Sequence, residues 1–236
     1  MKTIRCKIEQ VTPFNDVVYQ VVLKPETAFN FKAGQYLCVV MGEKDKRPFS
    51  IASAPDAEHI ELHIGAAVSE SYPMQVVERL KECLQNNATI EVEVPGGDAH
   101  LRHESQRPRL MIAGGTGFSY IKSIVEHQIA LDLQVKTTFY WGCRTQDAMY
   151  YETIAREWHD AHPWMHFVPV VEQANDDWKG KQANLLDQIK SDFDSLNGYD
   201  IYIAGRFDMV GTARELFRTM GVEEDHLYGD AFAFIK

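Results

Sequence analysis

Leu110-Met111-Ile112-Ala113-Gly114-Gly115-Thr116-Gly117 is the stretch that decides the fold. Four consecutive apolar residues predict a buried strand, and the apolar spacing from Gly117 to Ile129 predicts a helix straight after the glycines. Glycine permits a sharp turn and a close approach to backbone N–H groups, while a helix N-terminus adds unpaired donors and a partial positive charge. A dinucleotide phosphate suits such a turn. The same glycines also suit tight packing of a helix on a strand, so the turn alone leaves two readings open.

Downstream, strands over Lys136 to Gly142, His166 to Val171, Asp200 to Ala204 and near Leu227 alternate with helices over Tyr151 to Ala161, Leu185 to Ser191 and Phe207 to Met220. This alternation predicts an α/β domain with a doubly wound, mostly parallel sheet. Ala204-Gly205-Arg206 repeats the strand, glycine and helix order, so Gly205 and Arg206 join Ala113, Gly114, Gly115, Thr116 and Gly117 as candidate nucleotide contacts. The strand ending Tyr140-Trp141-Gly142-Cys143-Arg144 has no acidic residue to hold a ribose, unlike the ordinary Rossmann pattern. Arg144 is placed to meet an adenosine ribose or a 2′-phosphate, a solvated loop charge being its other reading.

Upstream, short strands are expected over Arg5 to Val11, Val17 to Leu23, Gln35 to Met41, Phe49 to Ala52, His59 to Gly65 and Thr89 to Val94, with turn-rich segments between them. They predict a small antiparallel β-barrel. Tyr72, Met74, Val76, Val77, Leu80 and Leu84 predict one helix, with Ser71 as its N-cap. Polar Arg102 to Arg107 separates the two patterns, so the expected domains are residues 1–101 and 108–236.

A chain of 236 residues is comfortable for two such domains. Its 24 Lys and Arg against 34 Asp and Glu leave a net charge of −10, which argues against nucleic acid or anionic membrane as partner. Met1 to Val11 lacks the apolar run of a signal peptide, and no later stretch has the length of a membrane span, so a cytoplasmic protein is expected. Cys6, Cys38, Cys83 and Cys143 lie far apart, and no His-x-x-x-His pair lies on a clear helix, so free thiols and no metal site are expected.

Six segments, in order, resemble one family: Phe31 to Tyr36, Lys46 to Ser50 (Lys-Arg-Pro-Phe-Ser), Leu62 to Ala66, Ala113 to Ser119, Ile201 to Phe207 and Gly229 to Phe234. Across essentially the whole chain they resemble the ferredoxin–NADP⁺ reductase-like flavoenzymes, and within these the bacterial NAD(P)H-flavin reductase (Fre/LuxG) branch. The resemblance implies a flavin-binding barrel followed by an NAD(P)-binding domain. It implies that Arg47, Pro48, Phe49 and Ser50 line the isoalloxazine, with Tyr36 and His63, Ile64, Gly65 and Ala66 beside it. Ser50 would direct its hydroxyl at flavin N5, the atom that takes the hydride, so Ser50 is the catalytic candidate. Arg47 would meet flavin phosphate in the larger family, packing or a surface ion pair being its other reading. Phe232, in the C-terminal segment, is the candidate to stack on the flavin, ordinary core packing standing equally beside it.

Two departures matter. Relatives that retain FAD carry a Gly-x-x-Ser turn after the strand ending near Gly65, whereas Ala66 to Pro73 reads Ala-Ala-Val-Ser-Glu-Ser-Tyr-Pro, with Glu70 where a diphosphate would sit. Riboflavin, FMN or FAD is therefore expected to be a passing substrate of NAD(P)H-dependent hydride transfer. Ala204 stands where many relatives have Cys, so hydride transfer does not depend on a thiol there. The reduced flavin would pass to an oxidase, a monooxygenase or a luciferase. The alternatives are a reductase with bound flavin acting on a ferric chelate or a protein partner, and a nucleotide-binding module without turnover.

Overall fold

The computed structural model describes residues 1–235 and divides into two compact units: Met1–Leu101 with Lys122–Ala130, and Arg102–Ile121 with Leu131–Lys236. In the first, strands β1 (Lys2–Pro13), β2 (Val18–Pro25), β3 (Tyr36–Gly42), β4 (Asp45–Ser50), β5 (Ile60–Gly65) and β6 (Thr89–Gly96) form one antiparallel sheet in the order β4-β3-β6-β1-β2-β5. Its end strands β4 and β5 pack against one another, which rolls the sheet towards a barrel. The period-2 pattern sets the inner face: Ile4, Cys6 and Ile8 of β1 and Leu37 and Val39 of β3 are buried in one core.

Helix α1 (Tyr72–Gln85) adds Val76, Val77, Leu80 and Cys83 to that core. It starts where its sequence dictates. Ser71 has extended backbone and accepts from the Met74 N–H, and Pro73 occupies an early position where no N–H is needed.

In the second unit, β7 (Arg109–Gly114), β8 (Thr137–Thr145), β9 (Met165–Gln173), β10 (Lys181–Gln182), β11 (Asp200–Ala204) and β12 (Leu227–Tyr228) form a parallel sheet in the order β10-β9-β8-β7-β11-β12. Helices α2 (Phe118–Ala130), α3 (Glu152–Ala161), α4 (Leu185–Asp192) and α5 (Phe207–Thr219) connect its strands. The chain leaves β7 in one direction along the sheet and returns on its other side as β11. Between these two strands the winding reverses, and such a point opens a crevice at their carboxyl ends. Gly114 and Gly205 lie there.

Two elements differ from the expected pattern. β4 begins at Asp45, inside the charged run, and ends at Ser50 rather than Ala52. Polar residues are tolerated there because β4 is an end strand of the sheet. β10, two exposed residues, carries no periodicity to betray it. No helix among the described residues is long and apolar enough to cross a membrane.

Candidate functional site

The first candidate surface lies on the hairpin of β3 and β4. Register pairs Tyr36 with Ser50, Leu37 with Phe49, Cys38 with Pro48 and Val39 with Arg47. Directly opposed residues share a face, so the Arg-Pro-Phe-Ser stretch divides two and two. Phe49 and Arg47 lie on the face of buried Leu37 and Val39, while Pro48 and Ser50 stand on the other with Tyr36 and half-buried Cys38. The Tyr36 ring lies against Gly96, where an added Cβ would come within 2.5 Å of it. Ser50 is half-buried, and no residue among those described takes or gives a hydrogen bond at its hydroxyl. This face offers a flat ring, a proline and one uncommitted hydroxyl.

Arg47 is otherwise engaged. Its guanidinium donates to both Asp45 carboxylate oxygens (2.7 and 2.6 Å), to the Tyr72 carbonyl (2.8 Å) and to Gln75 Oε1 (2.9 Å), and lies 4.7 Å from the centre of the Tyr72 ring. The hydrogen bond and charge of Asp45 hold the guanidinium pKa above its usual value against the opposing effect of burial. The sequence offered one signal for this pairing: Asp45 and Arg47, two apart on a strand, share a face.

The N-terminus of α1 is equally committed. Ser71 Oγ takes the Met74 N–H, Pro73 has none, and Gln75 N–H donates to the Ser71 carbonyl. Glu70, just before it, has φ 62°. Few donors remain for a diphosphate.

At the end of β5, His63, Ile64 and Ala66 are buried, and Gly65 alone is half-exposed. The segment therefore presents backbone rather than side chains. His63 adjoins a partly buried charge cluster, centred on Glu61, that the sequence did not disclose. Glu61 accepts from Gln20 (2.7 Å) and Lys122 (2.8 Å) and lies 2.9 Å from His63 Nε2, and Lys122 also pairs with Glu126 (2.8 Å). Burial alone would raise the Glu61 pKa, yet the His63 hydrogen bond and the Lys122 ammonium bring it down to about 2. Burial lowers the pKa of His63 against the pull of Glu61.

The second candidate surface is the glycine turn of the other unit. Gly115 has φ 53°, a conformation that favours glycine, and a Cβ on Gly117 would come within 2.3 Å of the Ala204 carbonyl oxygen. Gly205 abuts Gly114, and Met209 packs against both. Thr116 and Gly117 complete a single 3₁₀ turn leading into α2, and Ser119 Oγ donates to the Thr116 carbonyl (2.9 Å). Ala113, the last buried residue of β7, fixes where the turn begins.

Residues outside the sequence motif brace this turn. Trp141 Nε1–H donates to the Gly115 carbonyl (2.9 Å), and the indole stacks on Phe118 with ring centres 4.1 Å apart. Burial pushes the Cys143 thiol up to about 12, partly offset by a hydrogen bond from the Gly115 backbone. The run Tyr140-Trp141 was a visible signal, but its contact with Gly115 was not.

Arg144 is an exposed residue of β8 rather than of the loop after it. Exposed Arg206 pairs with Asp208 (2.7 Å) at the start of α5. Phe232 is half-buried against the core of the second unit, whereas Phe234 is exposed. Among the described residues, no group of three or more His, Cys, Asp or Glu side chains is placed to hold a metal ion.

Comparison with known proteins finds relatives over the whole chain. A model of an FAD-binding domain matches residues 2–119, and one of an oxidoreductase NAD-binding domain matches residues 111–215. The "NAD(P)H-flavin reductase" of Vibrio harveyi is 48% identical over 236 residues, covering 99% of this chain and 100% of that protein. The protein of the same description from Aliivibrio fischeri is 48% identical over 235 residues, covering 98% and 99%. In fold, a solved ferredoxin NADP⁺ reductase from Neisseria gonorrhoeae superposes with a TM-score of 0.79 at 18% identity, covering 95% of this chain and 94% of that one.

Proposed function

The chain belongs to the NAD(P)H-flavin reductase family, and from that premise we propose that it transfers a hydride from NAD(P)H to a flavin that binds, is reduced and leaves. The net reaction is NAD(P)H + flavin + H⁺ → NAD(P)⁺ + reduced flavin. One pair of electrons moves with the hydride from the dihydronicotinamide to flavin N5, and direct transfer needs the two rings stacked about 3–3.5 Å apart.

The observation that carries this reading is the uncommitted hydroxyl of Ser50 on the face shared with Tyr36 and Pro48. A hydroxyl that donates to N5 polarises the ring as the hydride arrives, a contribution made chiefly in the transition state. Tyr36 and Pro48 supply apolar surface for the ring, and the backbone at Ile64 and Gly65 supplies its edge. The Gly114 to Gly117 turn and the start of α2 hold the nucleotide pyrophosphate, with Gly205 and Arg206 beside it and Arg144 toward the adenosine.

Arg47 and the α1 N-terminus support the passing-substrate status of the flavin. Both groups that would hold a phosphate are already bonded within the protein. Recognition therefore falls on the ring, common to riboflavin, FMN and FAD. The reaction needs neither membrane nor nucleic acid, and it suits a cytoplasmic protein that supplies reduced flavin to an oxidase, monooxygenase or luciferase.

Ser50→Ala tests the assignment. NADH oxidation with riboflavin should slow by roughly tenfold or more in kcat, with little change in flavin KM. A variant with the full wild-type rate would remove Ser50 from the chemistry.

A further inference from the structure

The second unit carries an open cavity of about 390 Å³ lined by none of the residues assigned above to flavin or nucleotide. It lies at the amino ends of β8 and β9, whereas the glycine turn lies at the carboxyl end of β7 in the same sheet. The sequence places its floor: Lys136, Thr138 and Tyr140 follow at two-residue intervals, Thr138 pairs with His166, and Tyr140 pairs with Val168. Side chains at such positions share one face of the sheet.

Aromatic rings form the walls. Tyr140 and Phe193 have ring centres 6.3 Å apart, and Phe193 meets Tyr199 edge-on at 5.6 Å. Lys136 and Lys181 also border the cavity, and neither ammonium has an ion-pair partner among the described residues. The one carboxylate there, Asp192, accepts from the Tyr140 hydroxyl (2.8 Å) and from the Gln188 amide (2.9 Å). Two unpaired cations beside aromatic rings stand out on a chain whose net charge is −10. Burial and neighbouring His159 lower the His166 pKa, so at neutral pH this ring offers a hydrogen bond rather than a third charge.

We propose that this cavity is a second, non-catalytic binding site for a planar aromatic anion, its ring against Phe193 and Tyr199 and its carboxylate or phosphate between Lys136 and Lys181. The volume lies in the range of small-molecule sites. Rings stack on aromatic walls with an orientation that the two ammonium groups then fix.

The test is a calorimetric titration of the intact protein with 4-hydroxybenzoate and with phenyl phosphate, which separates a carboxylate ligand from a phosphate ligand. Saturable one-to-one binding of at least one probe is expected, unaffected by saturating NAD⁺. Lys136→Glu with Lys181→Glu should weaken it about tenfold or more. NADH oxidation with riboflavin should stay at the wild-type rate, and Lys136→Arg with Lys181→Arg should keep the probe bound. Absence of saturable heat with both probes at millimolar concentration, binding undiminished by the Glu pair, or displacement by NAD⁺ would overturn the proposal.

Discussion

At the scale of single residues, the strand period divides the work of Arg47-Pro48-Phe49-Ser50. Ser50 and Pro48 lie on the strand face away from the core, where we propose the ring binds, while Arg47 is tied to Asp45, Tyr72 and Gln75. If Arg47 held a phosphate, Arg47→Ala would raise the KM for FMN more than that for riboflavin. Because the guanidinium is committed within the protein, the two KM values should move together. The variant should instead lose about 1–2 kcal/mol of stability in a denaturant titration, through the unpaired Tyr72 carbonyl and Gln75. Gly117→Ala is a harsher change. Its Cβ would meet a backbone carbonyl at 2.3 Å, which no side-chain adjustment relieves, so a cost of about 2 kcal/mol or more is expected together with a raised KM for NADH.

The elements were legible to different degrees. The glycine turn, the parallel alternation after it and the Ser71 cap could be read because period, glycine and capping chemistry are local. The start of β4 could not, since Asp45 and Lys46 read as loop until their partners are known: Asp45 bonds Arg47 within the strand, and Lys46 meets Glu93 of β6 (2.5 Å). The brace of Trp141 on Gly115 and the cluster of Glu61, His63 and Lys122 were hidden for the same reason, as both join residues far apart in sequence.

That cluster makes an element-scale prediction. Glu61, held at about 2 in the fold, contributes stability that is present above its ordinary range near 4.5 and is lost as pH falls towards 2. Buried His63, with its pKa lowered, acts in the same direction, resisting a proton that the unfolded chain takes up near 6.5. Acid unfolding should therefore begin below about pH 6.5 and steepen below about 4.5. Lys122→Met leaves half-buried Glu61 and Glu126 without their cation. It should cost about 3–5 kcal/mol at neutral pH and flatten the limb below about 4.5, because Glu61 loses the cation that lowers its pKa, as followed by circular dichroism.

For the whole molecule, the fold and the reaction class could be read from ordered motifs, whereas the status of the flavin rested on what Ala66 to Pro73 lacks. The structure adds a positive reason, since the cation and the helix end that would grip a phosphate are both spoken for. A flavin held by its ring alone exchanges readily, and the most direct measurement is NADH oxidation by the purified protein, with and without added riboflavin. The account predicts a colourless preparation that is inactive alone and shows a saturable rate once riboflavin is added. A yellow preparation that oxidises NADH at its full rate without added flavin would contradict it.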